Sequence, residues 1–400
     1  MKDVAIIGIG LTPWGKFPDT TSEELGRTAI LEALKDANLN WTDINFLIAG
    51  IDPYGGFAGL TSGPVLAANM GFSGIPVTSL WNACATGSYT LDMGSAFVLS
   101  GLYDIVLCVG AFRAPGGFFP TTGTGKDPND LDAMRFRLVG KTGPSMFAFQ
   151  AMRRMHNFGM TEKDLAQVKV KSSKHGALNP YARYQREYTL EEVLASQMLA
   201  YPLRLYEIAA TSDGAAAIIL CSMEKAKKFT AKPVVLASVF GPQPPYPNVD
   251  TPVSSFCTNS MISTQPFVPG ADRSHEPYVA QGVLERAGIE PKDIDFAEVY
   301  DLSMAMELDW IEDIGLCKPG EAESLLWEGA TSIGGRIPIN PSGGVASFGE
   351  SVPAQALLQV CEMVIQLRGD AGPRQVEGAK VGFAANKGLM HNVSCIVTKK

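Results

Sequence analysis

None of the seven cysteines, at positions 84, 108, 221, 257, 317, 361 and 395, forms a CxxC pair. Such an odd, dispersed set excludes a zinc knuckle in this chain and fits a reducing compartment. Charge is also sparse: 18% of residues are charged and the net charge is -8. That balance argues against a nucleic-acid surface, although an acidic protein can still hold a local basic pocket for an anionic ligand. No apolar run approaches the ~20 residues needed to span a bilayer. The opening "MKDVAIIGIG" enters a strand pattern directly, with no secretory core and cleavage site, so the expectation is a soluble cytoplasmic protein. What is present is 46% hydrophobic residues, 41 glycines and 26 prolines, the composition of a compact chain with many tight turns rather than a disordered one. A length of 400 residues suggests two to three domains.

One cysteine stands in a distinctive place. In "SLWNACATGSYTLDMGSAF", residues 79 to 97, Cys84 lies between the strand pattern "IPVTSLW" and a Gly/Ser/Thr turn that opens a helix. Free N–H groups and the dipole at a helix start favour a thiolate, so Cys84 is the candidate nucleophile. The bland alternative is a buried structural thiol. Cys108, Cys221, Cys361 and Cys395, set in apolar strand or helix patterns, read as core.

The chain repeats itself. "ALKDANLNWTDINFL" (33–47) matches "VLERAGIEPKDIDFA" (283–297) at a constant offset of 250, with identities at Leu34/Leu284, Ala37/Ala287, Asp43/Asp293, Ile44/Ile294 and Phe46/Phe296. Each copy reads helix, turn, strand, then a turn and second helix, then a buried strand, "DIVLCVGAF" or "AKVGFAANKG". Near-continuous apolar strands suit a sheet covered on both faces, so the expected architecture is two similar α/β halves. Residues 113–210 fit neither copy. They begin as a Gly/Pro-rich loop and become helical and basic, the pattern of a lid. The expected domains are 1–112, a lid at 113–210, a completion of the first half at 211–235, and a second half at 236–400.

Five stretches, in order and spacing, resemble the thiolase family, in particular the sterol-carrier-protein-associated branch. They are "NACATGSY" around Cys84, "FGMTEKDLAQVKVKSSKHGALNP", "SDGAAAIIL", "INPSGG" and "HNVSCIV". The resemblance covers essentially the whole chain. It implies a thiolase fold of class α/β: two duplicated halves in five layers with an inserted loop domain for coenzyme A, on a homodimer core. It implies acyl transfer in which Cys84 attacks a 3-ketoacyl-CoA and coenzyme A, as co-substrate, collects the acyl group. Coenzyme A and the acyl chain would be bound with the help of Arg113, Phe118, Phe119, Arg135 and Ser212. Phe118 and Phe119, adjacent aromatics in a Gly/Pro loop, suggest closure over an acyl or adenine group. The basic residues Arg135, Arg137, Arg153, Arg154, Lys169, Lys171 and Lys174 read either as a solvated face or as a grip on phosphates or a substrate carboxylate.

The helper residues depart from the family. Where relatives carry His-Asp-Cys-Phe or Asn-Glu-Ala-Phe, this chain has "YDLS", Tyr300 to Ser303, and where they carry Gly-His-Pro it has "GES", Gly349 to Ser351. Glu350 therefore stands in for the usual base, provided burial raises its pKa towards neutrality. The bland reading of Glu350 is an acid in a first helical turn. His391, in "GLMHNVS", lies where the family's C-terminal loop approaches the nucleophile, and Tyr300 is either a proton donor or a wall residue. His156, His175 and His275 read as ordinary exposed or partly buried residues.

Three functions stay open: a thiolase acting on a branched or aromatic acyl chain, a retro-aldolase of the steroid side-chain type, and a non-catalytic thiolase-like scaffold. The departures resemble thiolase-like subunits that work with a small zinc-ribbon/OB-fold partner, among them those that cleave benzoylsuccinyl-CoA. That resemblance implies such a partner subunit, no metal in this chain, and a substrate with an aromatic ring and a carboxylate.

Overall fold

Strand residues alternate between two apolar surroundings, which fixes the layering. Along the first strand, Val4 and Ile6 enter one core cluster with Val106, Cys108 and Ile218, while Ala5 and Ile7 enter another with Leu107, Val109 and Ile219. Side chains on a strand point to opposite faces in turn, so both faces of this sheet are covered. The computed structural model describes residues 3–51, 60–114, 143–230, 232–242, 275–388 and 392–400. Its strands are β1 (Val4–Leu11), β2 (Phe46–Ile51), β3 (Val77–Ser79), β4 (Ile105–Phe112), β5 (Met198–Ala200), β6 (Leu203–Arg204), β7 (Gly214–Ser222), β8 (Val234–Phe240), β9 (Phe296–Val299), β10 (Val381–Lys387) and β11 (Val393–Lys399). The helices are α1 (Ser22–Asp36), α2 (Ser62–Met70), α3 (Thr86–Ser100), α4 (Gly143–Phe158), α5 (Glu162–Ala177), α6 (Leu190–Leu194), α7 (Met223–Ala226), α8 (His275–Ala287), α9 (Met304–Asp313), α10 (Ala322–Trp327), α11 (Gly344–Phe348) and α12 (Gln355–Arg368).

Nine strands run in the order β3-β2-β4-β7-β1-β8-β11-β10-β9. Apart from β3 at one edge, the order is symmetric about the β1–β8 junction. Parallel β2–β4 and antiparallel β4–β7–β1 on one side answer parallel β9–β10 and antiparallel β10–β11–β8 on the other. β1 and β8 pair at only three positions, Val4↔Leu236, Ala5↔Val235 and Ile6↔Val234. Helices α3 and α12 touch strands of both lobes, α1 covers the far face of the first and α8 that of the second. The layers are thus helix, sheet, helix, sheet, helix.

The repeat holds down to single hydrogen bonds. Short 3-10 turns at Trp41–Asp43 and Pro291–Asp293 precede β2 and β9 at the same offset of 250. In each, the aspartate accepts from the backbone three residues earlier, Asn40 N to Asp43 and Glu290 N to Asp293. Asn45 N donates to Ile105 O and Asn45 Oδ1 accepts from Ile105 N; Asp295 makes the same pair of bonds with Val381.

One expected element differs. "NPSGGVASFGESVPAQALLQVCEMVIQLRG" reads as a turn and one helix, but it forms two, α11 and α12, with Gly349 to Ala354 between them. Gly349 adopts φ +76, which favours glycine, and a Cβ there would meet Ser212 Oγ at 2.2 Å. The interruption frees Glu350 from helical pairing, so it is not an acid in a first helical turn.

The basic stretch is also corrected. Arg154 is buried and spends its guanidinium on Asp309 (2.9 Å), Glu312 (2.5 Å) and Glu323 (2.7 Å), tying α4 to α9 and α10. Lys169 and Lys171 are buried as well, whereas Arg153 and Lys174 are exposed. Buried cations already paired neither form a solvated face nor remain free to grip a phosphate. Arg135, Arg137, Phe118 and Phe119 lie outside the described residues. No described helix is long and apolar enough to cross a membrane.

Candidate active site

The turn before α3 is strained in a defined way. Ala83 takes φ +49, uncommon for a residue with a side chain, and the next residue is Cys84. Thr86 holds this shape: Asn82 N donates to its Oγ1 at 2.8 Å, and that hydroxyl donates to Ala83 O at 2.6 Å. Thr86→Val removes both bonds while keeping the volume. We expect it to cost about 1–3 kcal/mol in urea unfolding, the scale of an orphaned buried polar group, and to slow alkylation of Cys84.

Two further segments meet Cys84. Tyr300 directly follows β9 and Glu350 directly follows the α11 turn, and both are buried. A third stretch, Ile208 to Ser212, stitches them together. Ala209 N donates to Leu302 O (2.8 Å), Glu350 N to Ala210 O (2.7 Å) and Ser212 N to Glu350 O (2.8 Å). Ser212 Oγ donates to Phe348 O (2.7 Å) and faces Arg183 Nη1 (3.3 Å). Asn340, with φ +51, secures the end of β9 by accepting from Val299 N at 2.7 Å through its Oδ1. Sequence reasoning missed this stitching, because backbone pairing between separate loops leaves no residue-type signature.

Electrostatics decide what the cluster can do. Burial first, then the nearby Glu350 carboxyl, pushes the Cys84 thiol well above its ordinary value; Tyr300 and the local backbone oppose this less strongly. The helix start favours a thiolate, whereas burial and the facing carboxyl oppose it, so the thiol needs a base. Burial pushes Glu350 up to about 8, moderated by interaction with the Cys84 thiol and Tyr300 hydroxyl and reinforced by Asp301. Tyr300 is raised as well, by burial and then by Cys84 and Glu350. Apart from its interaction with the Cys84 thiol and the Tyr300 hydroxyl, neither Glu350 oxygen has a hydrogen-bond partner among the described residues. A carboxyl that titrates near neutrality, and is not committed elsewhere, is suited to accept a thiol proton.

The other expected site residues are distributed as follows. Ser212 flanks Glu350. Arg113, just beyond β4, donates to Pro18 O at 2.7 Å and is not brought to Cys84 by any described contact. His391 lies outside the described residues. Its segment is bounded by Gly388 and Asn392, joined by Gly388 N to Asn392 O at 2.7 Å. A Cβ on Gly388 would come within 2.9 Å of Asn82 O and 3.1 Å of Ala85 N, so this boundary packs on the nucleophile turn. His175 and His275, expected at or near the surface, are buried. His175 accepts from Ile333 N at Nε2 (3.1 Å) and contacts Asn340 O through Nδ1 (2.9 Å), which makes it a neutral Nδ1–H tautomer. Burial, then Lys171, lowers it to about 3, in keeping with a structural role. Among the described residues, no group of three or more His, Cys, Asp or Glu is arranged to hold a metal ion.

A family model described as thiolase, N-terminal domain, matches residues 4–114, and one described as thiolase C-terminal domain-like matches residues 272–399. An acetyl-CoA acetyltransferase of Methanothermobacter thermautotrophicus is 33% identical over 392 residues, covering 97% of this chain and 97% of its own. The chain belongs to the thiolase family. The benzoylsuccinyl-CoA thiolase subunit BbsB of Thauera aromatica is 30% identical over 383 residues, 94% of this chain and 92% of that one. Among solved structures, an Ltp2-ChsH2(DUF35) aldolase matches with a TM-score of 0.82 at 24% identity, over 100% of this chain and 98% of its own. Human mitochondrial 3-ketoacyl-CoA thiolase in complex with CoA matches with a TM-score of 0.71 at 16% identity, over 100% and 98%. Those two likenesses are of fold. Together with the full-length relatives, the two thiolase domains mark an acyltransferase of the thiolase type.

Proposed function

We propose that this thiolase cleaves a 3-ketoacyl-CoA through an acyl-enzyme on Cys84. The carrying observation is the meeting of Cys84, Tyr300 and Glu350 in one buried cluster whose thiol needs a base. Glu350 takes the thiol proton as sulfur attacks the C3 carbonyl. The tetrahedral oxyanion then collapses, the C2–C3 bond breaks, and its electron pair leaves as a coenzyme A ester enolate. Protonated Glu350, directly or relayed through Tyr300, delivers that proton to C2 and is ionised again. Coenzyme A next loses its thiol proton to the same base and attacks the thioester, giving a new acyl-CoA and free Cys84. In this reading the oxyanion is met by backbone N–H donors beside Cys84. His391 supplements the proton traffic, and Arg113, Phe118, Phe119, Arg135 and Ser212 are the coenzyme A and acyl contacts in this reading.

For the substrate, we favour benzoylsuccinyl-CoA, split with coenzyme A into benzoyl-CoA and succinyl-CoA. The support is the full-length relative that carries that name, and its being a subunit supports a second subunit as partner, which we take to be a zinc-ribbon/OB-fold protein. The test is product analysis with benzoylsuccinyl-CoA and, separately, acetoacetyl-CoA, each with coenzyme A. The purified chain is assayed alone and after co-production with a zinc-ribbon subunit encoded nearby. Equal amounts of benzoyl-CoA and succinyl-CoA, enhanced by the second subunit, are expected. Thiolysis of acetoacetyl-CoA alone would reject the aromatic substrate and keep the thiolase.

A second reading is retro-aldol cleavage of a 3-hydroxyacyl-CoA, favoured by the closeness of two proton-transfer groups, Tyr300 and Glu350, that do not require the thiol. There the base takes the hydroxyl proton, the C2–C3 bond breaks, a carbonyl compound leaves, and the enolate is protonated.

A further inference from the structure

Asp301 follows Tyr300 directly and is fully buried. Its Oδ1 accepts from Val345 N at 2.6 Å, and Oδ2 faces Ala346 N at 3.4 Å. These are backbone groups of α11, the short helix that leads into Gly349 and Glu350. Gly344 adopts φ +64, and a Cβ there would lie 2.4 Å from Asp301 Oδ2, so the backbone approaches the carboxylate as closely as a glycine allows. Opposite, Lys169 Nζ donates to Ala346 O at 2.6 Å and stands over the rings of Tyr188 (5.1 Å) and Tyr184 (5.9 Å). The aspartate and the lysine thus grip the N–H and C=O groups of the same peptide stretch. Both ionisable groups are buried, where the low dielectric makes charge felt over several ångströms.

We infer that Asp301, held against Lys169 across α11, is a positioning residue that fixes Glu350 over Cys84 and sets the pH at which Glu350 becomes available as a base. This rests on the reading of Glu350 as the thiol's base. Burial pushes Asp301 up to about 7 and Glu307 adds to that, against Lys171 and the two backbone donors. Burial lowers Lys169 to about 8, against the pull of Asp301. Asp301 in turn raises Glu350. The charged groups around Asp301 are Lys169 and Lys171 from α5, Glu307 from α9 and Glu298 from β9. Glu307 is paired with Lys171 (2.5 Å); Glu298 accepts from Ser342, and Glu362, which faces Glu298, is paired with Arg374. Cys84 and Tyr300 face Glu350 directly. When Asp301 is ionised, its negative charge holds the Glu350 proton on. Removing that charge lets Glu350 ionise at lower pH.

The experiment is alkylation of Cys84 by iodoacetamide in the full-length protein, followed by mass across the neutral to alkaline range. It needs no knowledge of the acyl substrate. Asp301→Asn keeps the shape and an acceptor oxygen for Val345 N. It is expected to move the midpoint of the alkylation profile down by about half a pH unit or more. A merely structural role would lower the rate or the melting temperature without moving the midpoint. If Asp301→Asn does not fold, Asp301→Ser carries the test, because it removes the same charge with a smaller polar side chain and shifts the midpoint the same way. Glu350→Gln is the control. If it abolishes the titration while the folded Asp301 variant keeps the parent midpoint, the inference is overturned and the base reading survives. If Glu350→Gln keeps the parent titration, the base reading falls and the inference falls with it.

Discussion

Replacing Cys84 by alanine is expected to lower acyl transfer by at least about 10⁴-fold while leaving the affinity for coenzyme A within about threefold of the parent. The thiol supplies the covalent bond and little ground-state binding. Its side chain belongs to a buried cluster that includes Phe112, Ala114, Tyr300 and Val352, and the change removes a single sulfur, so alanine leaves only a small void and the variant should fold. Steady-state kinetics and coenzyme A titration on the same preparation check both halves. Turnover of a 3-hydroxyacyl-CoA retained in Cys84→Ala, with release of a carbonyl compound, would move the protein to the aldolase reading.

The second large effect belongs to Glu350. Glu350→Gln preserves size but cannot accept the thiol proton, so the acylation rate should fall roughly 10²-fold or more. The parent should gain rate as pH rises through about 8, where Glu350 ionises, and the variant should lose that limb. Stability has the opposite sign. The folded-state value is raised above the ordinary 4.5, so folding favours the protonated carboxyl. Its contribution is fully present below pH 4.5 and is lost as pH rises through about 8. Glu350→Gln should therefore match the parent's unfolding free energy in acid and exceed it in alkali, by at most a few kcal/mol. Loss of rate without either pH signature would make Glu350 a packing residue.

Much of the fold was legible because duplication and burial leave marks on residue type. Phe46 and Phe296, Asp43 and Asp293 occupy equivalent positions because the same helix, 3-10 turn and strand must pack twice. The core cysteines were legible for a similar reason: Cys108, Cys221, Cys361 and Cys395 lie in continuous apolar patterns and are buried. The break between α11 and α12 was less visible, since glycines and a proline interrupt a helical pattern without saying whether the chain stops or only bends. Lys169 and Lys171 misled because lysine on a helix ordinarily faces water; here carbonyls and carboxylates from distant segments receive them.

At the site, the turn at Cys84 was legible and its electrostatics were not. A helix start argues for a thiolate, yet the penalty of burial and the facing carboxyl depend on three segments far apart in sequence. Glu350 was found from its place in a recognised motif, and its raised pKa follows from an environment no local window contains. Asp301 stood in the quoted "YDLS", but its hold on Val345 and Ala346 spans more than forty residues.

The most direct test of the account is single-turnover acylation. Full-length protein, mixed with its 3-ketoacyl-CoA substrate in the absence of free coenzyme A, is quenched and its peptides are mapped by mass. The account predicts one acyl group per chain, on the Cys84 peptide alone, formed as fast as the first coenzyme A ester is released and discharged when coenzyme A is added. Release of products with Cys84 unmodified at every time point, or acyl transfer undiminished in Cys84→Ala, would contradict it.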